Sequence, residues 1–197
     1  MPILKTEDFT KPLLALLEDL ERAEHDLDAK QDAYSRRNYV RNLFAMIDGT
    51  IYILKHTILI AAADASDQVS IGEHALLREQ SFDIKENGEV RTYKKYPKLA
   101  DNLLFTKRQL EKHFGLSLNI DLKSAEWFDF KKAIEIRNRV THPKKLAEFD
   151  VSKDEVALAR RVGHWFGTFI IDWFRQFIAI VKPVYEIDAN QLKDYTM

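Results

Sequence analysis

Cysteine is absent from this 197-residue chain, and glycine and proline are scarce, with six and five residues. Without cysteine the chain can form neither a disulfide nor a thiolate zinc site, and it has no thiol nucleophile. So few glycines and prolines leave little material for long flexible linkers, and no repeat or low-complexity tract interrupts the chain. Because the length is sufficient for one hydrophobic core, we predict a single domain over residues 1–197.

The chain also lacks an excess of charge of either sign. It has 30 Lys and Arg against 31 Asp and Glu, a formal net charge of −1. No overall positive field attracts nucleic acid, so any binding of a polyanion has to be local. The first residues do not follow the basic-then-apolar order of a signal peptide, and Asp172 and Arg175 interrupt the apolar stretch 165–181. We predict a soluble, cytoplasmic protein without a membrane segment.

Apolar residues recur at three- and four-residue intervals along most of the chain, which predicts a mainly α fold. The predicted helices cover residues 10–32, 36–63, 67–78, 99–114, 124–142 and 152–181. Ser70 with Glu73, and Ser152 with Glu155, have the spacing of capping boxes at helix starts. The apolar surface of the last helix is broad, which favours contact with a second subunit in addition to the core.

A change of pattern at about residues 82–96 predicts a small β-hairpin inserted between helices. Residues 82–93 alternate across Asn87-Gly88, a pair typical of hairpin turns. The end of this region combines cations with tyrosines, in the order Arg91, Tyr93, Lys94, Lys95, Tyr96 and Lys98. Two interpretations stay open: contact with RNA through charge and stacking, or an ordinary polar insertion whose lysines protect a strand edge.

A candidate active site lies at the end of the fifth predicted helix, where Arg137-Asn138 is followed by His142-Pro143. Proline disfavours the αR conformation in the residue before it, so the helix should end at or near His142. On a continuous helix Arg137 and His142 would point about 140° apart. A chain that leaves the helix at His142 can instead turn the imidazole back toward the guanidinium, while Asn138 and His142 share a face.

These residues also have a purely structural interpretation. Arginine and histidine in the last helical turn interact favourably with the helix dipole and can bind its unpaired carbonyl groups. The same spacing recurs at Arg108 and His113, where no proline follows, and there we expect a solvated helix face. The spacing alone therefore does not identify a site.

Two further pairs of charged residues extend the candidate site. Lys144 and Lys145 follow closely after His142 and either contact the phosphate backbone of a substrate or are simply solvated. The second predicted helix carries a polar stripe of Asn38, Arg41, Asp48, Tyr52 and Lys55. Arg41 and Asp48 either face the motif helix, where they orient its groups and bind substrate, or belong to a solvated face with salt bridges.

The order of these elements resembles the HEPN family (higher eukaryotes and prokaryotes nucleotide-binding), especially its stand-alone prokaryotic members. The resemblance covers most of the chain, and its specific part is Arg137-Asn138 with His142 at the end of the penultimate helix. It implies an up-and-down helical bundle that dimerises, so that two motifs meet in one cleft. It also implies a metal-independent endoribonuclease without a cofactor, often a toxin or a phage-defence effector controlled by an antitoxin or another regulatory protein.

One departure concerns regulation. Some family members carry a modified tyrosine two residues after the histidine, and here that position is Lys144. Regulation by that route is therefore not expected. Because many members have lost catalysis, the fold by itself does not establish activity.

The chemistry of the three motif side chains suits RNA cleavage by the 2′-hydroxyl group. Histidine titrates near neutral pH, so His142 can remove the 2′-proton. Arginine stays protonated and its planar fork matches two phosphate oxygens, so Arg137 can stabilise the charge while Asn138 orients the imidazole or the phosphate. A single subunit lacks an obvious acid for the leaving group, which a twofold dimer would supply. The expected products are a 2′,3′-cyclic phosphate and a 5′-hydroxyl.

The alternative is a non-catalytic HEPN-like module that binds RNA, a nucleotide or a protein partner. In that case the motif caps a helix, and the broad last helix provides the binding surface. A metalloenzyme is disfavoured because no His-x3-His or Glu-x-x-His pair lies on one helical face near the candidate site. Cleavage of RNA without metal would distinguish the enzyme from the module.

Overall fold

A computed structural model describes residues 7–64 and 69–185. In this part the protein is mainly helical, with a two-stranded antiparallel sheet inserted between the third and fourth helices, as predicted. The helices are α1 (Glu7–Lys30), α2 (Ala33–Asp64), α3 (Ile71–Leu77), α4 (Leu99–Phe114), α5 (Ala125–Thr141) and α6 (Lys153–Tyr185). The sheet consists of β1 (Gln80–Ile84) and β2 (Val90–Lys94), and a 3₁₀ turn, Leu146–Phe149, precedes α6.

The central helix is α2, which packs against α1, α3, α4, α5 and α6. Its predicted apolar seam is buried along its whole length: Val40, Phe44, Ile47, Ile51, Leu54 and Ile58. α5 and α6 pack together through aromatic side chains, with the ring centroid of Trp165 lying 6.2 Å from that of Trp127 and 5.3 Å from that of Phe130. Because α2 and α6 enclose the inner face of α5, the polar edge of α5 is left at the surface.

The helix ends follow the capping signals of the sequence. Ser70 Oγ accepts the backbone N–H of Glu73, and the Glu73 carboxylate accepts that of Ser70, which confirms the capping box. The second predicted box, at the start of α6, is formed in the same way. Ser124 caps α5, and α4 ends at Gly115 in the left-handed conformation (φ 64°) that glycine adopts without steric cost.

Four predicted boundaries lie three or more residues from those of the structure. α2 begins at Ala33, before the predicted residue 36. α1 begins at Glu7, before Thr10, so Pro12 lies inside the helix rather than at its start. α3 begins at Ile71; the predicted start at Asp67 lies outside the described residues, as do residues 186–197. α6 continues to Tyr185, beyond its predicted end at 181.

The hairpin projects from the bundle. Its register pairs Phe82 with Thr92 and Ile84 with Val90, and every residue of β2 is exposed. The turn places Gly88 at φ 81°, with its N–H donating to the Lys85 carbonyl (2.8 Å). This conformation requires a left-handed residue, which explains the glycine of the Asn-Gly pair.

Close packing of α1 on α2 depends on Gly49. A Cβ atom at this position would lie 2.5 Å from Leu16 Cδ1, well inside van der Waals contact. The mid-helix glycine, which costs about 1 kcal/mol in helix propensity relative to alanine, therefore allows α1 to approach α2 next to Asp48.

Within the described residues, one helical segment, Ala33–Ala62 of α2, is long and apolar enough to cross a membrane. In its most apolar window 56% of the residues are buried among the other helices, as expected of the central helix of a bundle. Length and apolarity alone are weak grounds for a membrane span here.

Candidate functional site

α5 ends where the proline signal predicts. Thr141 is its last residue, and His142 follows with φ −126° and ψ 57°, outside the helical region. The backbone N–H of His142 still donates to the carbonyl of Asn138 (3.0 Å), so the chain turns away only after this bond. His142 therefore stands at the surface, where the helix gives way to the 3₁₀ turn.

The guanidinium of Arg137 is fixed by two hydrogen bonds. Nη2 donates to Asp48 Oδ2 of α2 (2.8 Å), and Nη1 donates to Asn138 Oδ1 (3.1 Å). The side chain is half-buried, with 31% of its surface exposed. A guanidinium has five N–H donors, so this arrangement orients the group and still leaves donors for a ligand.

The carboxyl group of Asp48, which binds Arg137, lies in an environment that disfavours its charged form. Burial raises the pKa of its carboxyl group, and the nearby Glu79 raises it further. The charge and hydrogen bond of Arg137 oppose these effects without cancelling them. Arg137 therefore helps Asp48 to remain negatively charged beside α5.

Arg41 holds the same helix at a second point. Its Nη2 atom donates to the carbonyl of Val140 (2.7 Å), one of the carbonyls that the end of α5 leaves unpaired. Arg41 and Asp48 are seven residues apart on α2, which is two helical turns and therefore the same face. Both residues face α5, one of the two arrangements that the sequence allows. Contact with a substrate remains a prediction for both.

The imidazole of His142 and the amino groups of Lys144 and Lys145 are exposed. Among the described residues, none forms a hydrogen bond with the His142 imidazole and none forms an ion pair with either lysine; Arg137 is hydrogen-bonded to Asp48 and Asn138, not to His142. The backbone N–H of Lys144 donates to Glu148 Oε2 (2.6 Å). The post-helical backbone is thus held in place while three basic side chains face solvent.

Sequence reasoning missed two arginines that fix the segment after the motif. Arg139 donates to the carbonyl of Asp150 (2.6 Å) and pairs with Glu155 at the start of α6 (2.7 Å). Arg37 of α2 donates to the carbonyl of Phe149 (3.3 Å) and lies 5.7 Å from the centre of its ring. Together they tie the 3₁₀ turn to α2, α5 and α6, which keeps the segment carrying both lysines close to His142.

Lys55, the last residue of the polar stripe on α2, is buried in the structure. This side chain is only 1% exposed, and its Nζ atom donates to Glu79 Oε1 (3.1 Å) and to Asn102 Oδ1 (3.0 Å). The connection between α3 and β1 covers the lysine, and Glu79 adopts a left-handed conformation (φ 54°) there. Burial lowers the pKa of Lys55, and the bond and charge of Glu79 oppose that change.

The other candidate features lie apart from this surface. Arg108 is exposed as predicted, whereas His113 is half-buried. A cavity of about 20 Å³ between α1, α2 and α6 and a wide depression along α1 include no residue of the candidate site. Among the described residues no three His, Asp or Glu side chains are grouped closely enough to hold a metal ion.

Comparisons with protein-family models, with curated protein sequences and with solved structures find no match to this chain.

Proposed function

We propose that this chain is a metal-independent endoribonuclease of the HEPN type, with Arg137, Asn138 and His142 as its active site. The observation that carries the proposal is the fixed guanidinium of Arg137, held by Asp48 and Asn138 near the end of α5. His142 is exposed at the same helix end with no protein group bound to its imidazole among the described residues. A phosphate-binding fork and a titratable base thus lie within one helical terminus.

In the proposed reaction the 2′-oxygen of RNA attacks the adjacent phosphorus as His142 accepts the 2′-proton. A bond forms between phosphorus and the 2′-oxygen, and the bond to the 5′-oxygen breaks. Arg137 donates to the non-bridging oxygens, where negative charge develops. His142 of the partner subunit, in its protonated form, gives a proton to the leaving 5′-oxygen. The products are a 2′,3′-cyclic phosphate and a 5′-hydroxyl, and no metal ion or cofactor takes part.

The substrate reaches this site over a basic surface. Lys144 and Lys145 continue from His142 and contact the backbone phosphates on either side of the cleaved bond. Arg41, which uses one N–H on Val140, offers its other donors to the same strand. Asp48 acts by positioning Arg137. We further propose that the cytoplasmic homodimer serves as a toxin or phage-defence effector under the control of a second protein.

The test is incubation of purified protein with a mixed RNA pool in EDTA, followed by analysis of the RNA end groups. We expect cleavage with cyclic-phosphate ends, reduced at least ~100-fold in His142→Ala, as for loss of a general base. Arg137→Lys should also lose most activity, because an ammonium group does not replace a planar fork. His164→Ala and Arg108→Lys change exposed residues elsewhere and serve as matched controls. Undiminished cleavage by His142→Ala would remove the assignment.

A second candidate is the non-catalytic module. Two observations favour it. Asp48 balances the positive charge of the Arg137 guanidinium within one chain. Among the described residues, no group orients the imidazole of His142. A module would bind RNA, a nucleotide or a protein in a stable complex and leave RNA intact in the same assay.

A further inference from the structure

Residues 91–98 form the most basic exposed stretch that the candidate site does not use; we term it the basic segment. It contains Arg91, Lys94, Lys95 and Lys98 and no acidic residue, in a chain whose net charge is −1. All four cations are exposed, along β2 and the connection to α4. The segment is therefore a local positive surface on a nearly neutral protein.

Within the described residues, none of the four basic side chains of this segment takes part in an ion pair or a hydrogen bond. In contrast, Lys85 of the same hairpin pairs with Glu89 (2.9 Å). Asp83 stands opposite Arg91 in the strand register, but its Oδ1 atom accepts the backbone N–H of Ile84 (2.8 Å). A ligand that binds these cations therefore has no ion pair to displace in the part of the chain that the structure describes.

Exposed aromatic rings lie between the cations. Tyr96 is 70% exposed and Tyr93 is 41% exposed. Tyr93 and Arg91 share a face of β2, because alternate residues of a strand point to the same side. Aromatic rings interleaved with cations suit single-stranded nucleic acid, whose bases stack while its phosphates bind the positive groups. An acidic peptide would use the cations and leave the rings without partners.

The basic segment is linked to the candidate site through α2. The backbone N–H of Lys95 donates to the carbonyl of Glu79 (2.8 Å), and the carboxylate of Glu79 binds Lys55 of α2. Lys55 is two helical turns, about 10 Å, from Asp48 along the same face of α2. Tyr52, 60% exposed, lies between them in sequence. A strand bound to the basic segment can therefore continue along α2 toward Arg137.

We propose that the basic segment binds single-stranded RNA and directs it along α2 to the site at the end of α5. The binding itself is independent of catalysis, whereas the direction given to the strand rests on the function proposed above. Phosphates bind Arg91, Lys94, Lys95 and Lys98, and the bases stack on Tyr93 and Tyr96.

The experiment measures binding of a fluorescent oligouridylate of about 12 nucleotides, within the usual site size, by anisotropy over a range of salt. The full chain carries His142→Ala so that the probe stays intact. Lys94→Gln/Lys95→Gln should weaken binding about tenfold and lower the salt slope by about 1.4, the value for two lost phosphate contacts on a single strand. Lys85→Gln/Lys123→Gln removes the same number of exposed charges and should stay within about twofold of the parent.

A second pair of variants tests stacking. Tyr96→Ala should weaken binding about tenfold, whereas Tyr96→Phe, which keeps the ring, should change it by less than about twofold. Equal binding by the two double-lysine variants would overturn the proposal, as would preferential displacement of the probe by poly-glutamate, which would indicate an acidic protein partner. If RNA binding depends on the basic segment but the native chain does not cleave RNA, only the proposed nuclease activity is refuted. If the native chain cleaves RNA but binding does not depend on the basic segment, only the proposed role of that segment is refuted.

Discussion

Replacement of Glu79 by alanine should destabilise the fold more than replacement of the lysine that it binds. Lys55 is almost fully buried, and Glu79 is its charged partner. Removal of Glu79 leaves a positive charge inside the bundle with Asn102 as its remaining acceptor. In contrast, Lys55→Met removes the buried charge and keeps a side chain of similar length. The carboxylate of Glu79 then has no cation, but it is partly exposed and water can reach it.

The magnitudes follow from these exposures. Loss of one partner from a buried pair costs 3–5 kcal/mol, and since Glu79 is partly exposed we expect a value near the low end, about 3 kcal/mol. For a chain of this size that corresponds to a decrease in Tm of roughly 6–12 °C. Lys55→Met should cost about 1 kcal/mol, because Asn102 loses a donor. The double variant should be about 2 kcal/mol more stable than the sum of the single variants predicts.

Urea denaturation at several pH values measures these effects. Burial lowers the pKa of Lys55 below 10.5, so between the folded-state value and 10.5 the unfolded chain binds more protons than the folded chain. Stability from this group therefore rises with pH in that window, and the defect of Glu79→Ala should shrink there. Additive single variants, or a Glu79→Ala variant as stable as Lys55→Met, would refute the reasoning.

Three further predictions concern the site and the core. Asp48→Asn should lower RNA cleavage about 10- to 100-fold, because Arg137 loses its charged anchor. Because the pKa of Asp48 is raised in the folded chain, its carboxyl group keeps its proton to a higher pH there than in the unfolded chain. The contribution of Asp48 to stability should therefore decline as pH rises above 3.8. If the urea midpoints of the native chain and of Asp48→Asn change with pH in the same way, this prediction is wrong. Phe166→Ala should lower the free energy of unfolding, measured in urea, by about 3–5 kcal/mol, since its ring is fully buried. Phe128→Ala, at an exposed position, should lower it much less. Equal losses of unfolding free energy in the two variants would contradict the assigned core.

Local signals predicted the helix that carries the site more accurately than its surroundings. Ser124 and Pro143 lie at its two ends, and both act through backbone chemistry within a few residues. α1 was predicted less well, because the helix continues on the N-terminal side of Pro12. The hairpin was found because Asn87-Gly88 and strand alternation are also short-range signals.

Contacts between segments that lie far apart in the sequence could not be predicted from it. Helical spacing places Arg41, Asp48 and Lys55 on one stripe of α2, but it does not reveal what covers each part. The structure places α5 over the first two and the α3–β1 connection over the third, so one stripe includes both site residues and a buried lysine. The pairing of Asp48 with Arg137 likewise depends on how two helices align across 89 residues of sequence.

Gly49 gives α1 an indirect influence over the candidate site. Three atoms of the Leu16 side chain lie within 3.5 Å of the place where a Cβ would stand, so a larger residue at 49 would force the whole isobutyl group, or α1 itself, to shift. The displacement would begin one residue from the carboxylate that anchors Arg137. A methyl group at position 49, on the side of α2 that contacts α1, should thus change the rate of the proposed cleavage without contacting the substrate.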